Sequence, residues 1–577
     1  MALALAAAAW LMPRGVTEGP QRRARLMIPE PPHARLSGLI QSIAISPDGR
    51  TVAFVAADSA GTVRLWVRPL EAVIARPLPG TENGDLPFWS PDGRALGFFA
   101  DGKLKRIGVE GGRAEVLADA PDPRGGAWGA GGDIVFAPHA TGGLVRVSDE
   151  GGAVSDVVRP DSAAGEVALR FPDFLPDGRH LTFVSLPRRE GGFGIHVARL
   201  GDARRHLLMR ADAAPVVAGA DLFVTQVNER LIAQRFDARS GRLTGRPVNL
   251  GDAPLAVGHD GVRAASVSRT GVLVHSAGRR SNTQLAWLDR MGRIVEWLPL
   301  PTGVWEDVSI APDDRHALVS RRVNSSDKEL WLVDLASGQA TRFSTTSSPQ
   351  TSNAVWSPDG RRVAYTQSLR GPGDIFIQPL DGGAAEPLYT SPALFKNVFD
   401  WSPDGRHITF EQPVRGRAWD VFLLPVESER TPVAAVMGPW NEGGGWFSPD
   451  GRWLVYYSDE GGVYELYVRP FPGPGPRQPI PGTRTGATAF IRGCWWASDG
   501  RELAFMGSDG LVRSVGITPG ATWSATRARD LFRVSDQIVA LGGTSNLRRF
   551  LATIQVEDPP PAAIVVDLNW TEALRAR

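Results

Sequence analysis

An all-β fold of tandem β-propellers, two rings of six four-stranded antiparallel blades, is predicted by three features of this 577-residue chain. A Ser-Pro-Asp-Gly motif begins at Ser46, Ser90, Ser357, Ser402 and Ser448. Worn copies start at Leu175, Ala311 and Ala497, and fainter ones at Gly129, Ala218, Ser268 and Thr544. Successive starts lie 39 to 50 residues apart, which is the period of a propeller blade. The third feature is an excess of turn formers, 65 Gly and 46 Pro, suited to many short strands joined by tight connections.

Within a repeat the elements follow in a fixed order. A short apolar segment ("PFW", "AVW", "FDW", "GWF") is the innermost strand. The motif then makes a tight turn. Pro presets φ, Asp favours the next position and bonds neighbouring amides, and Gly takes the left-handed position. Read this way Asp92 is a turn residue, not a catalytic carboxylate. An apolar second strand follows ("RALGFFA", "RWLVYYS"), then a third with period-two alternation ("RLWVRPL", "DIFIQPL", "ELYVRPF"). A Gly- or Pro-containing turn leads to a short outer strand such as "AEPLYT".

Twelve repeats exceed the four to eight blades usual in one ring, so two six-bladed rings are expected. The expected division is a leader over 1–24, a first propeller over 25–291 and a second over 292–577. In that scheme "RLMIPEP" (25–31) completes the sixth blade. "RIVEWLPL" (293–300) completes the last blade, which ends on "AAIVVDLNW". A cut at 292 should then leave two folded halves.

The repeated "WSPDGR" with "LWVRPL" or "IFIQPL" after it resembles the TolB-type β-propeller repeat. The ordered segments "RPLPGTENGDLPFWSPDGRALGFFADGKLKRI", "FPDFLPDGRHLTFV", "LAWLDRMGR", "SPDGRWLVYYSDEGG", "YVRPFPGPG" and "VVDLNWTEAL" are similar to the propeller part of bacterial transmembrane serine/threonine kinases. That resemblance spans about Arg25 to Leu574. It implies a sensor or interaction module outside the cytoplasm, periplasmic or at the cell surface, tethered by a membrane helix and linked to a kinase. The kinase domain itself is not in this sequence, which has no His-Arg-Asp loop and no Asp-Phe-Gly. The apolar run "MALALAAAAWLM" falls where the family's membrane helix would end. An atypical signal, the tail of such a helix and a disordered leader are the three readings of it.

Composition removes other classes. With 63 basic against 62 acidic residues there is no one-signed field for nucleic acid. The single Cys494 forms no intrachain disulfide and sits at an apolar strand position. No Gly-x-Ser-x-Gly elbow and no HExxH motif occurs, so the sequence offers no catalytic, cofactor or metal residues. Trp89, Trp356 and Trp401 precede turns on innermost strands, where they should pack between blades.

Function is expected on the rim opposite the Ser-Pro-Asp-Gly turns, where links enter the innermost strands. There "TENGDL", "TGVWED", "SSPQTSN", "ALFKNV" and "GPWNEGG" mix acids, amides and aromatics. Glu306, Asp307, Lys396, Asn397, Trp440, Asn441 and Glu442 are the candidate binding residues of the second ring. The expected function is non-catalytic binding of a protein, peptide or glycan. The competing classes are a propeller hydrolase or lyase with a channel-assembled site, and an architectural envelope scaffold.

Overall fold

The computed structural model describes residues 23–575 apart from 37–41, 59–61, 188–192, 203, 229, 253–262, 264, 278–281, 324–327, 345–349, 369–372, 392–395, 415–418, 428, 474, 486–490, 492, 508, 536 and 557–562. The leader 1–22 and the rim stretches 347–349 and 393–395 therefore lie outside the described residues.

Among the described residues, twelve antiparallel sheets make two propellers of six blades, with one short helix at Glu572–Arg575. A representative blade runs Asp85–Trp89, Ala95–Ala100, Lys103–Gly108 and Glu115–Asp119 from the centre outwards. Its strands are too short to bury a face alone, so each sheet packs on its neighbours. Trp89, Leu96 and Phe98 interleave with Ala53, Val55 and Leu65 of the blade before. Fully buried side chains such as Phe98 each contribute about 2 kcal/mol by removal from water.

The turn motif does what its chemistry dictates. Ser90 Oγ donates to Asp92 Oδ1 at 2.6 Å, and the same oxygen accepts the Arg94 amide at 3.1 Å. The Ala95 amide donates to Ser90 Oγ at 2.9 Å, and Gly93 takes a φ of +72°. The same arrangement recurs at Ser46, Ser357, Ser402 and Ser448. The serine hydrogen bond is the main reason the Asp92 carboxyl lies below its ordinary range. Trp89 and Trp356 stitch blades together, donating their indole N–H to Ala44 O and Ser309 O of the preceding blades at 3.1 Å each.

The closure of the rings differs from the expected one. The sixth blade is Ala265–Val267, Leu273–Ala277, Ala563–Leu568 and Ala24–Pro29, so its third strand comes from the end of the chain. The twelfth is Ile538–Gly543, Arg549–Gln555, Thr283–Asp289 and Ile294–Trp297. The two third strands are exchanged. The first ring thus comprises about 23–277 plus 563–575, and the second, 283–555, is inserted within it; the boundary at 291/292 falls inside the last blade of the second ring. "TQLAWLD" and "AIVVDL" carry similar apolar patterns, and longer-range partners decide between them. Asp567 meets Arg25 at 2.8 Å and Arg23 at 3.3 Å. Thr283 Oγ1 donates to Trp305 O at 2.7 Å, and Arg290 forms a two-pronged pair with Glu502 at 2.7 and 2.9 Å.

Innermost strands carry a recurrent bulge two to five residues before the turn, as at Asp85/Phe88, Arg170/Asp173, Val398/Asp400 and Gly443/Trp446. Leu86 and Phe171 occupy the same place in their blades and both adopt a φ of 50°, a conformation costing on the order of 1–3 kcal/mol in a side-chain-bearing residue. Both residues line the cavity walled by the innermost strands of the first ring.

Candidate functional site

The second-ring rim gathers the candidate residues of blades nine and ten and leaves those of blade seven apart. Asn397 Nδ2 donates to Glu411 Oε1 at 3.0 Å, and Tyr457 donates to Glu411 Oε2 at 2.9 Å. Burial pushes the Glu411 carboxyl up, against these donors and the Gly444 amide. The "EGGGW" run makes this contact sterically feasible, because a Cβ on Gly443 would lie 2.2 Å from both Glu411 Oε2 and the Tyr457 hydroxyl.

Asn441 holds Asp459 through its amide at 2.9 Å and its side chain at 2.8 Å. Glu442 is fully buried beside Asp420, and among the described residues neither of its oxygens has a hydrogen-bond donor. Burial first, then the neighbouring Asp420 charge, raise its carboxyl to about 8, so its protonated form is favoured near neutrality. Trp440 remains 37% exposed, with the Arg477 guanidinium 5.5 Å above its ring.

Lys396 is wholly buried between blades eight and nine. Its ammonium donates to Gly373 O at 2.5 Å and Ser391 O at 3.1 Å and lies 3.4 Å from Asp374. Burial lowers its pKa to about 8, with Asp374 opposing. On blade seven Glu306 pairs with Arg322 and Lys328 at 2.8 Å each, and Asp307 with Lys328 at 3.0 Å. Burial works against the Lys328 charge, but Asp307 and Glu306 outweigh it and hold its pKa above the usual value. Of the seven candidates only Trp440 and Asp307 present much of their side chain to solvent.

Two features escaped the sequence reading. The first is a cavity of about 360 Å³ in the first-ring channel, walled by innermost strands of all six blades. Leu86, Phe88, Trp128, Phe171 and Phe174 supply apolar and aromatic surface, and Asp173 and Arg263 supply charge. Asp173 Oδ2 accepts the Val217 amide of the next blade at 2.9 Å, and its Oδ1 stands 3.8 Å from Arg263. Burial raises the Asp173 carboxyl, with Arg263 opposing. Only the bulge could have signalled this lining, and a bulge is not visible without the pairing register.

The second is a Ser–His–acid group inside blade four. Ser185 Oγ lies 2.8 Å from His196 Nε2, and Glu166 Oε1 is 3.5 Å from the same nitrogen. A catalytic triad needs the serine and the acid on opposite ring nitrogens. Here both meet Nε2 and the buried Nδ1 has no hydrogen-bond partner. Burial drives the His196 pKa down to about 4, leaving a neutral ring stacked on Phe183. The group is packing, not chemistry.

No family model and no curated protein matches this chain. Among solved structures, a putative TolB from Agrobacterium tumefaciens is 19% identical over 48% of this chain and 100% of its own, with a TM-score of 0.37. TolB from Acinetobacter baumannii is 11% identical over 68% of this chain and 82% of its own, with a TM-score of 0.32. The tricorn protease is 12% identical over 89% of this chain and 62% of its own, with a TM-score of 0.31. All three scores lie below 0.5, and the two-ring architecture rests on the strand pairing of this chain.

Proposed function

We propose that this protein is a non-catalytic binding module whose first-ring channel holds the ligand, and whose second-ring rim contacts a partner through Trp440 and Arg477. The supporting observation is the cavity of about 360 Å³ with walls from all six blades, the size of a small-molecule or peptide-end site, lined by aromatic side chains together with polar ones. The rigid blades fix its shape, and the Asp173–Arg263 pair offers the few polar groups that orient a ligand. In the same reading the module senses its ligand outside the cytoplasm for a membrane-bound kinase. The ordered segments from Arg25 to Leu574 support that link.

The test is a ligand screen by thermal shift on the whole chain and on Phe174→Ala and Arg263→Gln. A compound that stabilises the wild type and loses its effect in both variants supports the channel. Ligands unaffected by either variant would remove it. A propeller enzyme is the second reading, favoured by the buried Glu442 carboxyl, raised to about 8 by burial and by the Asp420 charge beside it, a group suited to general acid chemistry. Turnover in a hydrolase and lyase screen that disappears in Glu442→Gln would support it.

A further inference from the structure

Beneath the Ser-Pro-Asp-Gly rim of the second ring, a cavity of about 220 Å³ opens between blades ten and eleven. It is lined by Trp453 and Trp496, by Pro449 and Pro519, and by the carboxylates Asp450 and Asp499. None of the described lining residues is basic. Two other grooves under the same turns differ. The one between blades two and three is lined by Arg94, Arg106 and Arg113, and the one between blades eleven and twelve by Arg501, Arg529 and Arg548.

The aromatic walls are a local departure from the repeat. The residue following Gly-Arg in the turn is Thr51, Ala95, Arg362, His407 or Glu502 in other blades, but Trp453 here. Trp496 fills the packing slot of Trp89 and Trp356, yet its indole N–H does not make their bond to the preceding blade and has no partner. Both rings are braced by the buried Trp523. Its centroid lies 5.5 Å from Trp453 at 63° and 6.2 Å from Trp496 at 84°. Two inclined indoles on a common support make a preorganised wall that cannot fold away.

Each acid is held in place. Asp450 Oδ1 accepts Ser448 Oγ at 2.6 Å and the Arg452 amide at 3.1 Å. Asp499 Oδ1 accepts the Arg501 amide at 2.9 Å. Arg452 Nε stands 4.0 Å from Asp450 Oδ2, at the edge of contact. Fixed negative charge beside electron-rich ring faces, with no cation in the lining, is the chemistry that recognises an alkylated ammonium ion.

We propose that this cavity binds the quaternary ammonium head of a small organic cation. The N-methyl groups pack on Trp453 and Trp496, and Asp450 and Asp499 balance the charge. The volume accommodates one trimethylammonium head with a short tail.

Choline titrated into the whole protein, read by calorimetry and tryptophan fluorescence, tests this. The neutral isostere 3,3-dimethylbutan-1-ol and the unmethylated ethanolamine serve as comparators. Saturable choline binding at or below about 10 mM is expected, with each comparator weaker by about tenfold or more. The double variant Asp450→Asn/Asp499→Asn keeps the turn geometry and should weaken choline by about tenfold. Trp453→Phe should weaken it less than Trp453→Ala. Equal binding of dimethylbutanol would reduce the site to an apolar cleft, and equal binding of ethanolamine would remove the aromatic contribution. Choline affinity unchanged in the double Asn variant, or no saturation, would overturn the proposal.

Discussion

Arg25 and Asp567, 542 residues apart, meet in a two-pronged ion pair. Arg25 Nε and an Nη donate to the two carboxylate oxygens at 2.8 and 3.0 Å. Arg23 reaches the same carboxylate at 3.3 Å, and His275 lies 3.6 Å away. One buried acid thus joins the first strand, the second strand of the sixth blade and the last strand of the chain.

Removing that acid should loosen the first ring alone. Asp567→Asn is expected to lower its stability by about 1–2 kcal/mol, the loss of charge-assisted hydrogen bonds to Arg25 and Arg23, whose partial exposure lets solvent screen them. The Arg and His neighbours hold the Asp567 carboxyl below its ordinary value despite burial. Its contribution is therefore present above about pH 3.9 and fades as pH falls towards the folded-state value. Denaturant melts from pH 7 to pH 2 should show the gap between wild type and variant constant down to about pH 4 and narrowing below it. Parallel curves would contradict this role.

The exchange of strands predicts where the chain can be divided. A chain of residues 282–556 contains all four strands of each second-ring blade and should fold alone, with a cooperative melt and monomeric elution. A chain of residues 292–577 lacks Thr283–Asp289, the third strand of the twelfth blade, and should aggregate. The opposite outcome would restore closure near 291.

Much of this was legible in the sequence, and the limits were physical. Blade number, turn chemistry and the packing role of Trp89 followed from local pattern, because turn geometry and alternation are set by neighbours in the chain. The exchange of Thr283–Asp289 with Ala563–Leu568 was not legible. Both segments satisfy the same third-strand pattern, and contacts such as Arg25–Asp567 choose between them. The rim location of Asn397, Asn441 and Glu442 was read from topology, but not the burial of Lys396 and Glu442. A loop acid next to Gly residues looks solvated until Asp420 and Gly443 are seen to close around it.

Gly443 has a steric role that can be measured. Gly443→Ala places a Cβ against the Glu411–Tyr457 hydrogen bond and should destabilise the second ring by about 1–3 kcal/mol. Tyr457→Phe alone should cost about 1 kcal/mol, as expected for one lost hydrogen bond. Urea melts of the 282–556 chain would read both, and an unchanged midpoint for Gly443→Ala would refute the close approach.

Glu442 sets a pH dependence of the opposite sign to that of Asp567. Its folded carboxyl is raised to about 8, so the protonated form is favoured by folding. The associated stability is fully present below the unfolded pKa of about 4.3 and is lost as pH rises through 8. Glu442→Gln keeps the neutral shape and should melt higher than wild type at pH 9, by about 2–4 °C for each kcal/mol relieved. The difference should vanish near pH 5. A constant difference across that range would contradict the raised Glu442 carboxyl.

The most direct test of the interlocked architecture is cysteine cross-linking in a Cys494→Ser background. Met27 faces Val565 in the sixth blade, and Gln284 faces Ile554 in the twelfth. Oxidation of Met27→Cys/Val565→Cys and of Gln284→Cys/Ile554→Cys should give intramolecular disulfides in both, seen by mass spectrometry of native protein. Disulfides in neither pair, with a folded chain, would contradict the exchange of strands between the rings.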